Sequence, residues 1–167
     1  GSAGLARQLA AAWTGQSAEA DPRVAYPQPD GPVLLLLGSY HKATAAQLKR
    51  LRTGCGVELI TVQTGRLLSE DEYRAEQERV LGEAGAAMAN GRSVALATGL
   101  NGFVRGCTLQ PARLLGDVNL SLLAQYPVSR LILSGGSTGY QVLRQMRATY
   151  LRVLGEADCG IPYSQVG

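Results

Sequence analysis

Aromatic side chains are scarce in this chain: one Trp, one Phe and seven Tyr among 167 residues. A core stacked from rings is excluded, so Leu, Val, Ile and Ala must fill it. At this length folding buries roughly 70% of the surface of the unfolded chain, enough for a core without staples. Histidine occurs once, at His41, and the three cysteines, Cys55, Cys107 and Cys159, contain no CxxC pair. Their wide spacing fits neither a zinc site nor a disulfide framework, so three buried structural thiols and a reducing cytoplasm are expected. Blocks of like charge are absent, and 16 basic side chains against 13 acidic ones give a formal +3. Neither nucleic acid nor a membrane surface is then an expected partner. Apolar runs such as Val33–Leu37 are far too short to span a bilayer, and the opening GSAGL lacks the basic start of a signal peptide. GxxxxGK[ST] and GxGxxG are also missing, which excludes a Walker-type NTPase and a dinucleotide fingerprint.

Glycine is plentiful instead, with 21 residues. Leu5, Leu9 and Trp13 recur every fourth residue and predict a short helix over 1–13. The stretch 14–32, with Pro22, Pro27, Pro29 and Pro32, reads as a linker or surface strap. From there apolar strand-length runs alternate with helical patterns. Strands are expected at 33–37, 57–62, 93–98, 130–134 and near 150–154. Helices are expected at 45–51, 69–88, 111–125 and 140–146. Ser69 and Glu72 form a capping-box pattern for the second of these helices. Its Tyr73, Val80, Ala84 and Met88 share one side, while Glu72, Arg74, Glu76 and Glu78 fall on the other. The acidic face from Glu70 to Glu83 is expected to be solvated. The alternation predicts an α/β fold of three layers, a mainly parallel sheet with helices on both faces, Rossmann-like but without GxGxxG.

The glycines fall at the carboxyl ends of the predicted strands: Gly38 after LLLL, Gly99 after ALAT, and Gly135 and Gly136 after LILS. Those ends line the ligand crevice of an open parallel sheet. Two junctions match: strand, small residues, then Thr44-x-x-Gln47 or Thr138-x-x-Gln141, each a capping-box pattern at a helix start. The first N–H groups of a helix lack internal partners, and its dipole favours an anion there by about 0.3–1 kcal/mol. Bare glycine backbone lets a phosphate approach, and a hydroxyl from Ser39 or Thr138 adds a donor. The competing reading is two ordinary capped turns. Gly135-Gly136-Ser137-Thr138-Gly139 also fits GxSxG, but a hydrolase elbow needs a later His, and His41 lies far upstream. His41, Lys42, Asn101 and Arg105 either face the phosphate or stay in solvent.

These residues resemble a known family. GPVLLLLGSYHKATAAQLKRL is similar to the opening of the C-terminal domain of the four-carbon acid sugar kinases, with its strand, Gly-Ser and later Thr-x-x-Gln. SRLILSGGSTGYQVLRQM and LRVLGEADCGIPYS resemble that domain's Gly-Gly-acidic-Thr segment and the stretch ending in Gly-Val-Pro. GSAGLARQLA looks like the last helix of the preceding domain, which leaves 33–167 as a nucleotide-binding domain short at its C-terminus. The resemblance implies an ATP-dependent kinase of sugar acids such as threonate or erythronate, with Mg2+ accompanying the nucleotide. It implies a sugar-acid substrate held by an N-terminal domain absent from this chain, and it leaves a homo-oligomer open. The implied nucleotide contacts are Ser39, Gly135, Gly136, Ser137 and Thr138, supported by Gly38 and Gly139, with Gly99 as a wall. Ser137 departs from the family's usual acidic residue, and Tyr40-His41 replaces small ones. A further glycine-containing segment of the family is absent before Gly167. No catalytic base, and no kinase activity from this chain alone, is therefore expected. The alternative is a non-catalytic module that binds a phosphate-bearing metabolite for assembly or regulation.

Overall fold

The structure is a computed structural model that describes residues 2–15, 30–38, 42–98, 110–158 and 160–167. In chain order the elements are α1 (Ser2–Thr14), β1 (Val33–Leu37), α2 (Lys42–Cys55), β2 (Glu58–Thr61), α3 (Glu70–Ala89), β3 (Val94–Ala97), α4 (Gln110–Gln125), β4 (Arg130–Ser134), α5 (Gly136–Gln145), β5 (Leu151–Asp158) and β6 (Ile161–Val166). They fall into two compact units, one within 29–147 and one drawn from 1–28 and 148–167.

The larger unit is the expected α/β fold. Four parallel strands lie in the order β2-β3-β1-β4. The central strand β1 pairs Leu34–Leu37 with Val94–Ala97 on one side and Val33–Leu37 with Arg130–Ser134 on the other. Its leucines are buried on both faces, as an all-apolar run in a parallel sheet requires. Leu34 and Leu36 enter a core with Val80 of α3, Leu115 of α4 and Val142 of α5. Leu35 and Leu37 pack with Leu48 of α2 on the opposite face. Helix α2 therefore covers one side of the sheet and the other three helices cover the second. Ser129 secures the entry to β1, donating its hydroxyl to the carbonyls of Gly31 (3.0 Å) and Pro32 (2.9 Å).

Helix α3 starts where its capping pattern predicts, but only half of the box forms. Ser69 Oγ accepts the Glu72 N–H at 3.3 Å, while the Glu72 carboxylate takes the Ser69 hydroxyl at 2.9 Å. Tyr73, Val80, Ala84 and Met88 are buried as expected. Glu76 corrects the expectation of an acidic face left to water: it is fully buried. Its Oε1 accepts the Gln63 N–H at 2.7 Å, and both its oxygens accept from Arg79, at 2.6 and 3.0 Å. Arg79 also donates to the Thr61 carbonyl (2.9 Å) and to Glu83 (2.7 Å). A carboxylate enters this position because a forked guanidinium and a backbone donor replace its water. The same contacts occupy polar groups at the end of the edge strand β2.

Two more expectations change. Cys55, at the end of α2, is free and exposed, so it is no core thiol; Cys107 and Cys159 lie outside the described residues. The last strand does not extend the parallel series. In the smaller unit β5 pairs antiparallel with β6, in register from Leu151↔Val166 to Val153↔Ser164, and shifts at Leu154 so that Gly155 faces Tyr163. The Tyr163 ring lies on Gly155, where an added Cβ would stand 2.8 Å from Tyr163 Cε1. Pro162 occurs on an edge and is tolerated there.

The Glu76 clamp makes a measurable claim. Glu76→Ala should cost about 3 kcal/mol in urea unfolding, and Glu76→Gln, which keeps an acceptor for Gln63, should cost less. A loss no larger than that of the exposed Glu78→Ala would show that the clamp contributes nothing.

Candidate functional site

The sheet order creates one place where strand ends part. The chain leaves β1 for α2 on one face, whereas its neighbours β3 and β4 lead to α4 and α5 on the other. Ligands of open α/β sheets bind at such a switch point. Here it centres on Gly38, the residue after β1.

Three strand ends meet there. Thr98, after β3, donates its N–H to the Leu37 carbonyl at 3.0 Å, and Gly38 donates to the Ser134 carbonyl of β4 at 3.0 Å. Gly135 then turns the chain with φ 107° and ψ 126°, a conformation open in practice to glycine alone. Helix α5 starts at once. Its first internal bond runs from Gly139 N–H to Gly135 O at 2.9 Å, which leaves the N–H groups of Gly136, Ser137 and Thr138 without acceptors inside the helix. No side chain caps this end, and no acidic residue stands in the first turn. A Cβ added to Gly136 would meet nothing within 4 Å, and Ser137 is exposed. The result is bare, donor-rich backbone at a helix start, suited to an anion.

Of the residues singled out in the sequence, Gly38, Gly135, Gly136, Ser137 and Thr138 come together. Gly139 supports the turn through its bond to Gly135 and lies over Leu133 of β4. Ser39, Gly99, His41, Asn101 and Arg105 lie outside the described residues, and Lys42 opens α2. The two Thr residues do not cap. Thr44 and Thr138 are each the third residue of their helix and are buried, because both helices begin three residues earlier than the Thr-x-x-Gln pattern suggests. Ser137 sits within α5 rather than at a strained elbow, a further reason it is no hydrolase nucleophile. Sequence reasoning assigned nothing to Thr98, whose buried hydroxyl ends β3 beside Gly38. Its signal was a polar residue closing a wholly apolar strand.

Helix α5 is anchored at its far end too. Gln145 donates to Asp117 Oδ1 (2.9 Å) and to the Arg113 carbonyl (3.4 Å) of α4, and its Oε1 lies against Gly116, where no Cβ would fit. Tyr73 of α3 donates to Asp117 Oδ2 at 2.7 Å, with Arg113 stacked 4.9 Å over its ring. Burial, then the Asp117 carboxylate, pushes the Tyr73 phenol well above its ordinary range.

Two outcomes follow from this geometry. Gly135→Ala should lower stability by about 1–3 kcal/mol, whereas Gly136→Ala should change it by less than about 0.5; equal effects in thermal unfolding would contradict the assigned strain. The raised Tyr73 pKa contributes stability that is complete below the unfolded value of about 10 and is lost as pH rises beyond it. Tyr73→Phe should therefore cost about 1 kcal/mol at pH 7 and flatten the alkaline fall of the urea midpoint. An unchanged alkaline slope would remove Tyr73 from that role.

Comparison with known proteins adds to this geometry. Residues 34–166 match the family described as the nucleotide-binding C-terminal domain. No curated protein matches the chain. Among solved structures, a protein with a domain of unknown function (DUF1537) from Bordetella bronchiseptica, a domain-swapped dimer with bound citrate, is similar at 23% identity and a TM-score of 0.71, over 83% of this chain and 34% of that one. A candidate tRNA synthase from Salmonella typhimurium LT2 is similar at 20% identity and a TM-score of 0.67, over 98% of this chain and 39% of that one. At these identities the likeness concerns the fold, and the chain spans little more than a third of either protein. With most of its length matched, the chain belongs to the nucleotide-binding C-terminal domain family.

Proposed function

We propose that the chain is the ATP-binding part of a kinase that phosphorylates four-carbon sugar acids of the threonate or erythronate kind. The observation that carries the nucleotide part is the start of α5, where N–H groups without an acceptor among the described residues, an unobstructed Gly136 and an exposed Ser137 stand beside the end of β1, with no carboxylate in the first turn. These groups would hold phosphate oxygens. Mg2+ would enter with the nucleotide and be held largely by its phosphates and water, as is usual for this ion. Phosphoryl transfer needs positioning above all: the bond from the γ-phosphorus to the bridging oxygen breaks as one to the acceptor hydroxyl forms, and the hydroxyl proton passes to a base. In this reading that base and the acid-binding groups belong to another domain, as the resemblance implies. The citrate bound by the Bordetella protein, itself a hydroxy acid, supports such a substrate. That protein's domain-swapped dimer supports association between copies of this chain as well. No described helix is long and apolar enough to cross a membrane.

One observation favours a second reading. Ser137 occupies the place where the resembling kinases carry an acid, which suits a module that binds a phosphate-bearing metabolite without catalysis.

Mg-ATP titrated into the chain should raise its thermal unfolding temperature, with a Kd on the order of millimolar, about 4 kcal/mol of binding. Gly136→Trp, which fills the open approach, should abolish the effect. No binding by the native chain at millimolar nucleotide would remove the main support for the proposal. ADP release by the whole protein on at least one four-carbon acid would then separate the kinase from the module, and turnover on none would leave the module ahead.

A further inference from the structure

Resting on the nucleotide-binding reading above, we infer that Thr138 is a positioning residue whose side chain sets the gap between the two phosphate-facing junctions, and that Gly38 is glycine because of Thr138. The Thr138 residue is only 4% exposed, and its hydroxyl faces inward. A Cβ built on Gly38 would collide with Thr138 Oγ1 and stand 3.1 Å from Thr138 Cβ. The same hydroxyl lies 3.5 Å from where a Gly135 Cβ would be, and that Cβ would be 3.7 Å from the Gly38 carbonyl carbon. Thr138 Oγ1 thus fills the corner between the ends of β1 and β4. Gly38 needs no unusual backbone angle, since its φ is not among the positive ones. Close approach by Thr138 alone accounts for the missing side chain.

This divides the work within Gly135–Thr138. The N–H groups of Gly136, Ser137 and Thr138, with the exposed Ser137, would serve the ligand. The Thr138 side chain turns inward and holds the first turn of α5 at a fixed distance from β1. In a close-packed interior an added methyl group must push its neighbour aside, here the very turn that presents the donors.

A double-mutant cycle tests this, read both as Mg-ATP affinity at a temperature where every variant is folded and as the thermal unfolding midpoint. Gly38→Ala should weaken Mg-ATP binding about tenfold or more. Thr138→Ser, which keeps the hydroxyl, should bind within about threefold of the native chain. In a Thr138→Ala background the added Gly38→Ala should cost less than about threefold, because the colliding oxygen is gone. The unfolding midpoint of the double variant should likewise lie above that of Gly38→Ala. A Gly38→Ala penalty of equal size in both backgrounds, in affinity and in midpoint, would overturn the inference and return the hydroxyl to the role of a ligand. Failure of the native chain to bind Mg-ATP would instead count against the function, and the midpoint cycle would still decide whether Thr138 acts as a strut.

Discussion

Burial of β1 on both faces is the constraint from which the rest of the larger unit follows. A strand reading Val-Leu-Leu-Leu-Leu has no side fit for water, so it must lie inside a sheet with helices above and below. Right-handed crossovers then send the chain from β1 to the far edge through α2 on one face, and bring it back through α3 and α4 on the other. The strand ends consequently part at Gly38. The candidate crevice is a by-product of satisfying four leucines.

What makes that crevice chemically useful is α5. The helix is short, uncapped and turned sharply by Gly135, features that would leave it poorly fixed if it relied on its own start. Its position is set from outside. Gln145 ties its last turn to Asp117 and Gly116 of α4, Val142 enters the core, and Thr138 rests on Gly38. Tyr73 extends the same network to α3. The helix is thus fixed by its buried side and its last turn, and its first-turn donors are not needed to hold it.

Much of this was legible in the sequence. Strands β1, β3 and β4 and helices α3 and α4 appeared close to their observed limits, because apolar runs and helical spacing report burial directly. Gly38 and Gly135 stand together at neighbouring strand ends, as their places in the sequence suggested. Other features were hidden for physical reasons. Thr44 and Thr138 look like caps, yet each is the third residue of its helix, inside the first turn. Glu76 looks like its solvated neighbours until Gln63 and Arg79 are seen around it. Pro162 and the turn at Gly160 disguise the β5–β6 ribbon. The reason for Gly38 was the best concealed, because its partner Thr138 lies a hundred positions away and only the fold brings them together.

The central claim is that the first turn of α5 receives a nucleotide's phosphates through backbone N–H groups. Amide-resolved NMR during titration with Mg-ATP tests it most directly. The account predicts large, saturable shifts at the amides of Gly136, Ser137 and Thr138, also produced by Mg-ADP and absent with adenosine. Saturable shifts confined to other parts of the chain, with these three amides unmoved, would contradict it.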